Sequence, residues 1–142
     1  MKFDLANRID VKRGLSPVAA GTDNTAYVSE IFDTRGYRSA AFLILIGANT
    51  DADVTFTTLI EEGDVSNLSD NAAVADADLN GTEVLASFTF GDDNECRKIG
   101  YVGSKRYIRV TITPANNGAG NIYIAGCWIG ELENGPAPNP PA

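Results

Sequence analysis

The chain has 142 residues, enough for one domain that buries roughly two-thirds of its surface on folding and too few for a second. Its hydrophobic content of 44% with 21% charged residues is that of a globular protein, and the absence of histidine excludes Ser-His-Asp and Cys-His catalysis, His-ligated zinc and imidazole pH switches. Eleven Lys and Arg against nineteen Asp and Glu leave a net charge of −8, which repels phosphate backbones and anionic membranes, so neither nucleic acid nor membrane is expected as a partner.

No basic, apolar leader opens the chain, so synthesis in the cytoplasm is expected, with Cys96 and Cys127 as free, half-buried thiols. A bridge between them stays open at this point. The longest apolar run, from Ala40 to Ile46, is far shorter than the ~20 residues that span a bilayer.

In chain order, residues 1–13 read as an extended, basic N-terminal arm, 14–132 as a β-sandwich domain, and 133–142 as a flexible Pro-rich tail. Within the domain, β-branched and aromatic runs closed by Gly, Asn, Asp or Pro fall at 25–32, 38–46, 53–61, 82–90, 96–102, 105–113 and 121–129. Seven or eight short strands at this spacing predict an all-β antiparallel sandwich.

In 38–46 both faces are apolar: Ala40, Phe42, Ile44 and Ile46 on one, Ala41, Leu43 and Leu45 on the other. A strand covered on both sides reads this way, with loops or a partner on the second face. The last run repeats the pattern, with Ile122, Ile124 and Trp128 opposed to Tyr123, Ala125 and Ile129. In 82–90, Val84, Ala86, Phe88 and Phe90 are expected to share a face; in 105–113, Ile108, Val110 and Ile112 point inward. Residues 63–81 lack β-branched content and read as a long excursion with one helical turn near 67–74. Gly103-Ser104 and the loop 116–120 carry hairpin signals.

Charge is unevenly distributed along the chain. Between Arg38 and Arg97 there is no cation, and that block carries −12 while the remainder carries +4. Acidic loops at one end of the sandwich and cations elsewhere are the expectation.

Motifs with chemistry are sparse. Asp76-Ala77-Asp78-Leu79-Asn80-Gly81 matches the first six positions of an EF-hand loop, but Ser87 stands where the closing bidentate Glu belongs, so an acidic turn without metal is expected. The pairs Glu61-Glu62 and Asp92-Asp93 invite a hydrolase reading, yet adjacent residues of a strand point to opposite faces. No catalytic residue and no cofactor is assigned, and the chain is not expected to be an enzyme. Arg35-Gly36-Tyr37-Arg38 and Lys105-Arg106-Tyr107 combine the residue types enriched at protein interfaces. Trp128 is either a sugar-stacking platform or, as the better reading of one Trp in an apolar strand, part of a core or interface.

Several of these segments together carry a resemblance: Asn7-Arg8-Ile9-Asp10-Val11-Lys12-Arg13, Asp23-Asn24-Thr25-Ala26, Thr34-Arg35-Gly36-Tyr37, the stretch 64–70, and Gly100-Tyr101-Val102-Gly103-Ser104-Lys105-Arg106-Tyr107. With them the chain up to about Gly130 resembles the capsid cement, or decoration, proteins of tailed bacteriophages of the Bordetella-phage type. The resemblance implies a jelly-roll-like sandwich on the exterior of an icosahedral capsid, made in the host cytoplasm. It would bind the phage major capsid protein and bridge capsomers, with copies meeting as homodimers or, as a further possibility, trimers. On that reading Lys2, Arg8, Lys12 and Arg13 clamp a neighbouring capsid subunit, and Tyr37, Arg38, Arg106 and Tyr107 form the docking face. The alternatives are a carbohydrate-binding or adhesive module of a virion built on Trp128, Tyr123 and the acidic loops, another virion structural role in head completion or tail, and a small hydrolase using Glu61 or Asp92.

Overall fold

The apolar alternation is realised as two facing antiparallel sheets in a computed structural model, which describes residues 4–141. The elements are β1 (Ile9–Leu15), β2 (Tyr27–Val28), β3 (Phe32–Asp33), β4 (Tyr37–Ile46), β5 (Thr55–Gly63), β6 (Ala72–Ala73), β7 (Leu79–Asn80), the single helical turn α1 (Glu83–Ala86), β8 (Phe88–Thr89), β9 (Cys96–Tyr101), β10 (Tyr107–Ala115) and β11 (Ile124–Leu132). One sheet has the order β1-β11-β4-β9-β7; the other has β2-β10-β5-β6, with β3 also on β10 and β8 also on β5. The fold is an all-β, jelly-roll-like antiparallel sandwich.

From β4 onward the long strands alternate between sheets along the chain, and two sequence expectations fail for that reason. The connections at Gly103-Ser104 and at 116–120 close no hairpin: each carries the chain from one sheet to the other, from β9 to β10 and from β10 to β11. Turn residues signal a reversal of direction but not whether the next strand pairs with its predecessor or faces it.

Inward residues of both sheets meet in one core. Phe42, Ile44, Ile99 and Trp128 from the five-stranded sheet lie against Phe56, Ile60, Ile108, Val110 and Ile112 from the other. Trp128, 0% exposed, stands edge-on to Phe42 at 4.7 Å between ring centroids and stacks on Phe32 at 5.4 Å. Its indole N–H donates to the Glu30 carbonyl at 3.0 Å, so the one polar atom of the ring is satisfied inside the core. Trp128 is therefore a core residue and offers no platform to a sugar.

The expected N-terminal arm is corrected: residues 9–15 form β1, an edge strand paired with β11 from Ile9↔Glu131 to Leu15↔Gly126. The strand was hidden because its inward positions are charged. Asp10 is 4% exposed and Lys12 half-buried, an arrangement that discourages further pairing on a sheet edge. Asp10 Oδ2 accepts from the Tyr37 hydroxyl at 2.6 Å and pairs with Lys12 Nζ at 3.1 Å. The Tyr37 ring reaches it by lying over Gly130, where any Cβ would collide with the ring.

The Pro-rich segment does not run free of the domain either. Ala137 is buried, and its N–H donates to the Asn7 carbonyl at 2.7 Å. The expected strand at 82–90 is likewise replaced by α1 and the short β8. Thr82 Oγ1 accepts the Leu85 N–H at 3.1 Å, the Glu83 carboxylate accepts the Ile60 N–H at 2.7 Å, and Ser87 Oγ accepts the Thr58 N–H at 2.9 Å. These side chains take over hydrogen bonds that a strand ladder would otherwise make. Ala86 and Phe88 go into the core, while Val84 is 81% exposed. The helical turn expected near 67–74 is absent; Leu68 instead adopts φ 54° in a tight turn, and the excursion contributes β6, a 3-10 turn at 76–78 and β7.

Candidate docking surface

The outer face of the five-stranded sheet is apolar through its centre. Register sets Val11 beside Ile129, Ile129 beside Ala41 and Ala41 beside Gly100; the next row holds Arg13, Cys127, Leu43 and Lys98, and the last Ala125, Leu45 and Cys96. Paired residues of antiparallel strands share a face, so these side chains form one surface. Leu45 is 57% exposed, and Ala41, Leu43, Cys127 and Ile129 are half-buried with nothing packed over them from the core cluster. The second apolar face anticipated for 38–46 is therefore present and open.

A hollow of about 540 Å³ crosses this face. Its floor is Ile9, Ala41, Gly100 and Ile129; Asp4, Leu5 and Arg8 with Glu131 stand on one side, Lys98 and Asn80 on the other. The Arg8–Glu131 pair closes at 2.5 Å. Among the described residues no aromatic side chain lines the hollow.

The opposite sheet presents a different exterior. Outward from β5 and β10 come Thr55, Thr57, Thr111 and Thr113, together with the Arg109–Glu61 pair at 2.7 Å, interrupted beside Thr111 by Leu59 and by Val28 of β2, which is exposed. One sheet is thus apolar through the centre of its exterior, and the other mostly polar.

Among the sequence-derived candidates, Lys2 lies outside the described residues. Arg8 and Arg13 stand at the margin of the apolar face, Arg13 paired with Glu30 at 2.5 Å. Lys12 and Tyr37 hold Asp10 inside the sandwich. Burial raises the Asp10 carboxyl pKa, but the Tyr37 hydroxyl and Lys12 outweigh it and bring the group below its ordinary value. Burial, followed by the bond to Asp10, pushes the Tyr37 phenol well up. These two residues stabilise the fold and offer little to a partner.

Arg38 extends from the start of β4 to the Glu133 carbonyl at 3.3 Å. Arg106 makes a two-pronged contact with Asp33 at 3.0 and 2.8 Å and lies over the Tyr107 ring at 4.8 Å. Its bond to Asp33 is the main cause holding that carboxyl below the usual range. Arg8, Tyr37, Arg38, Arg106 and Tyr107 gather at one end of the sandwich, around Thr34, whose N–H donates to the Arg106 carbonyl. Lys12 and Arg13 lie further along β1.

The expected segregation of charge survives only in part. At the opposite end, loops joined by Asn49–Asp93, Asn49–Tyr123 and Asp51–Gly118 hydrogen bonds carry Asp51, Asp53, Asp92, Asp93 and Glu95, with Arg97 bound to Asp92 and Glu95. Elsewhere the block's acids meet cations: Asp64 pairs with Lys105 and Glu61 with Arg109. A linear charge run says nothing of what folds against it.

The carboxylate pairs diverge. Glu61 binds Arg109, whereas Glu62 accepts the Tyr101 hydroxyl at 2.5 Å. Asp92 accepts the Thr89 N–H, the leading cause of its lowered pKa, whereas Asp93 accepts from Asn49. Among the described residues no three Cys, Asp or Glu side chains converge on a metal position. Cys96 and Cys127 are free and lie on β9 and β11 with β4 between them, two strand spacings apart and two residues out of step, about 12 Å in all and beyond the reach of a disulfide. Cys127 is half-buried as expected, whereas Cys96 is exposed.

No protein-family model and no curated protein matches the chain. Among solved structures it is similar to the exported protein XepA of PBSX, at TM-score 0.54 and 15% identity over 94% of this chain and 40% of that one. It is similar also to a chain of infectious bursal disease virus, Gx strain, at 0.49 and 10% over 91% and 34%, and to a xylan-binding module at 0.41 and 12% over 95% and 97%. The chain spans about 40% of the length of XepA. At these identities the likeness to XepA establishes the shared fold, a two-sheet antiparallel β-sandwich.

Proposed function

We propose that this chain is a structural virion protein that attaches to the outside of an icosahedral phage capsid and stabilises it by bridging capsomers of the major capsid protein. The observation that carries this reading is the contrast between the two exteriors: an open apolar face on the five-stranded sheet and a threonine-rich, ion-paired face on the other. Open apolar surface of this kind marks a protein contact, and the polar side keeps a decorated particle soluble. The residue-level resemblance to cement proteins supplies the identity of the partner. The pairing of copies belongs to the same proposal.

Such a protein acts by mass action. A copy that binds the expanded shell and not its opened form stabilises the shell, by about 2.7 kcal/mol per site when its free concentration is 100 times the dissociation constant. Repetition over the lattice, with each copy touching two capsomers, turns modest contacts into high avidity.

The test is to incubate purified full-length protein with empty expanded shells of the encoding phage, pellet the shells and follow their thermal disruption. Stoichiometric co-pelleting with a raised disruption temperature is expected. Protein that stays in the supernatant at micromolar concentration, with shell stability unchanged, overturns the proposal.

A further inference from the structure

We infer that the hollow crossing β11, β4 and β9 receives an extended segment of the partner protein that carries a carboxylate between small apolar side chains, the carboxylate meeting Lys98 and Asn80. This deepens, and rests on, the reading of the chain as a capsid-binding protein. Three features of the hollow select this occupant.

The first is its shape and lining. Ala41 and Gly100 make a low floor, and a Cβ at Gly100 would stand 2.9 Å from the Asn80 Cβ, so glycine keeps the passage open beside Asn80. A channel floored by small aliphatic groups accepts an extended backbone with short side chains. A glycan would want a flat aromatic ring, and the described residues supply none to the hollow.

The second is charge. Of the ten Lys and Arg among the described residues, seven are ion-paired; Lys98 is not, nor does the Asn80 side chain have a hydrogen-bond partner among them. On a chain of net charge −8, an uncompensated cation on an apolar surface is complementary to an anion brought by the partner. A carboxylate fits the pair, accepting from the ammonium and the amide together.

The third is area. Four strands at about 4.8 Å spacing and three rows at about 6.8 Å give roughly 400 Å² in projection, below the ~800 Å² per partner of a standard stable complex. The face is too small to hold a second copy by itself, and is suited to a contact repeated on a lattice.

The test compares the unaltered chain, Lys98→Glu and, on the opposite sheet, Thr113→Glu, each incubated with the expanded shells. Maleimide labelling of Cys96, two residues from Lys98 on the same face, is read by mass spectrometry in the free and bound protein. The expected result is at least a tenfold loss of shell affinity for Lys98→Glu, unchanged affinity for Thr113→Glu, and slower Cys96 labelling on the shell. Equal binding by all three chains with Cys96 labelled at one rate overturns the inference and leaves the capsid-binding reading standing. Protection of Cys96 that rises with protein concentration without shells, with a doubled sedimenting mass, assigns the face to a second copy and also overturns it. Failure of the unaltered chain to bind overturns both readings.

Discussion

Replacing Tyr37 by Phe removes one oxygen and leaves the ring in place on Phe32, at 5.0 Å between centroids. The oxygen lost is the closest donor to Asp10, a carboxylate 4% exposed whose Oδ1 has no partner among the described residues. A hydrogen bond to a charged group contributes about 1.5–3 kcal/mol, and here the desolvated acceptor keeps Lys12 and the Val11 backbone. A loss of about 2–3 kcal/mol is expected at pH 7, or roughly 4–10 °C in Tm for a chain of this length. Because the folded pKa of Asp10 lies below its ordinary value, the stabilisation is complete above the unfolded carboxyl pKa of about 3.9 and disappears as pH falls through the lower folded value. The gap between wild type and Tyr37→Phe should therefore be constant near neutrality and narrow below about pH 4. Urea denaturation from pH 3 to 8 reads both effects. A difference under about 0.5 kcal/mol at pH 7, or one independent of pH, refutes the structural role given to Tyr37.

Three further substitutions or deletions probe the same packing. Gly130→Ala drives a methyl into the Tyr37 ring and should cost about 1–3 kcal/mol by overpacking, measured by denaturant midpoint; a neutral result means the ring does not lie there. Thr82→Ala removes the cap of α1 and should cost about 1 kcal/mol, whereas a strand at 82–90 would leave it neutral. Deletion of residues 1–13 strips β1 from β11 and should broaden or abolish the cooperative thermal transition; an intact transition would restore the reading of this segment as a detachable arm.

What was legible in the sequence was what alternation carries. Ile108, Val110 and Ile112 point inward, and Phe42, Ile44 and Ile46 are buried while Ala41, Leu43 and Leu45 look outward, as their periods require. The fold class and the open second face of β4 were readable for the same reason. The edge strand β1 was not, because Asp10 and Lys12 occupy its inward positions and their partner Tyr37 lies 27 residues from Asp10. The turn α1 was obscured because Val84 and Leu85 are apolar yet exposed, while the polar groups of Thr82, Glu83 and Ser87 make the fixing bonds. The docking hollow was missed because its signal is not a motif. Ala41, Gly100 and Ile129 come together only through the register of β4, β9 and β11, and Lys98 stands out only once seven of the ten described cations are seen to be paired. Tyr–Arg clusters drew attention to Tyr37 and Arg106, both of which are bound to acids of the chain itself.

The central claim, adhesion through one sheet with the other left to solvent, is tested most directly by an electron-microscopic reconstruction of expanded shells incubated with the full chain. Additional density at symmetry-related sites between capsomers is predicted, oriented with β11, β4 and β9 toward the shell and the threonine rows of β5 and β10 outward. Bare shells, or copies seated through β5 and β10, would contradict it.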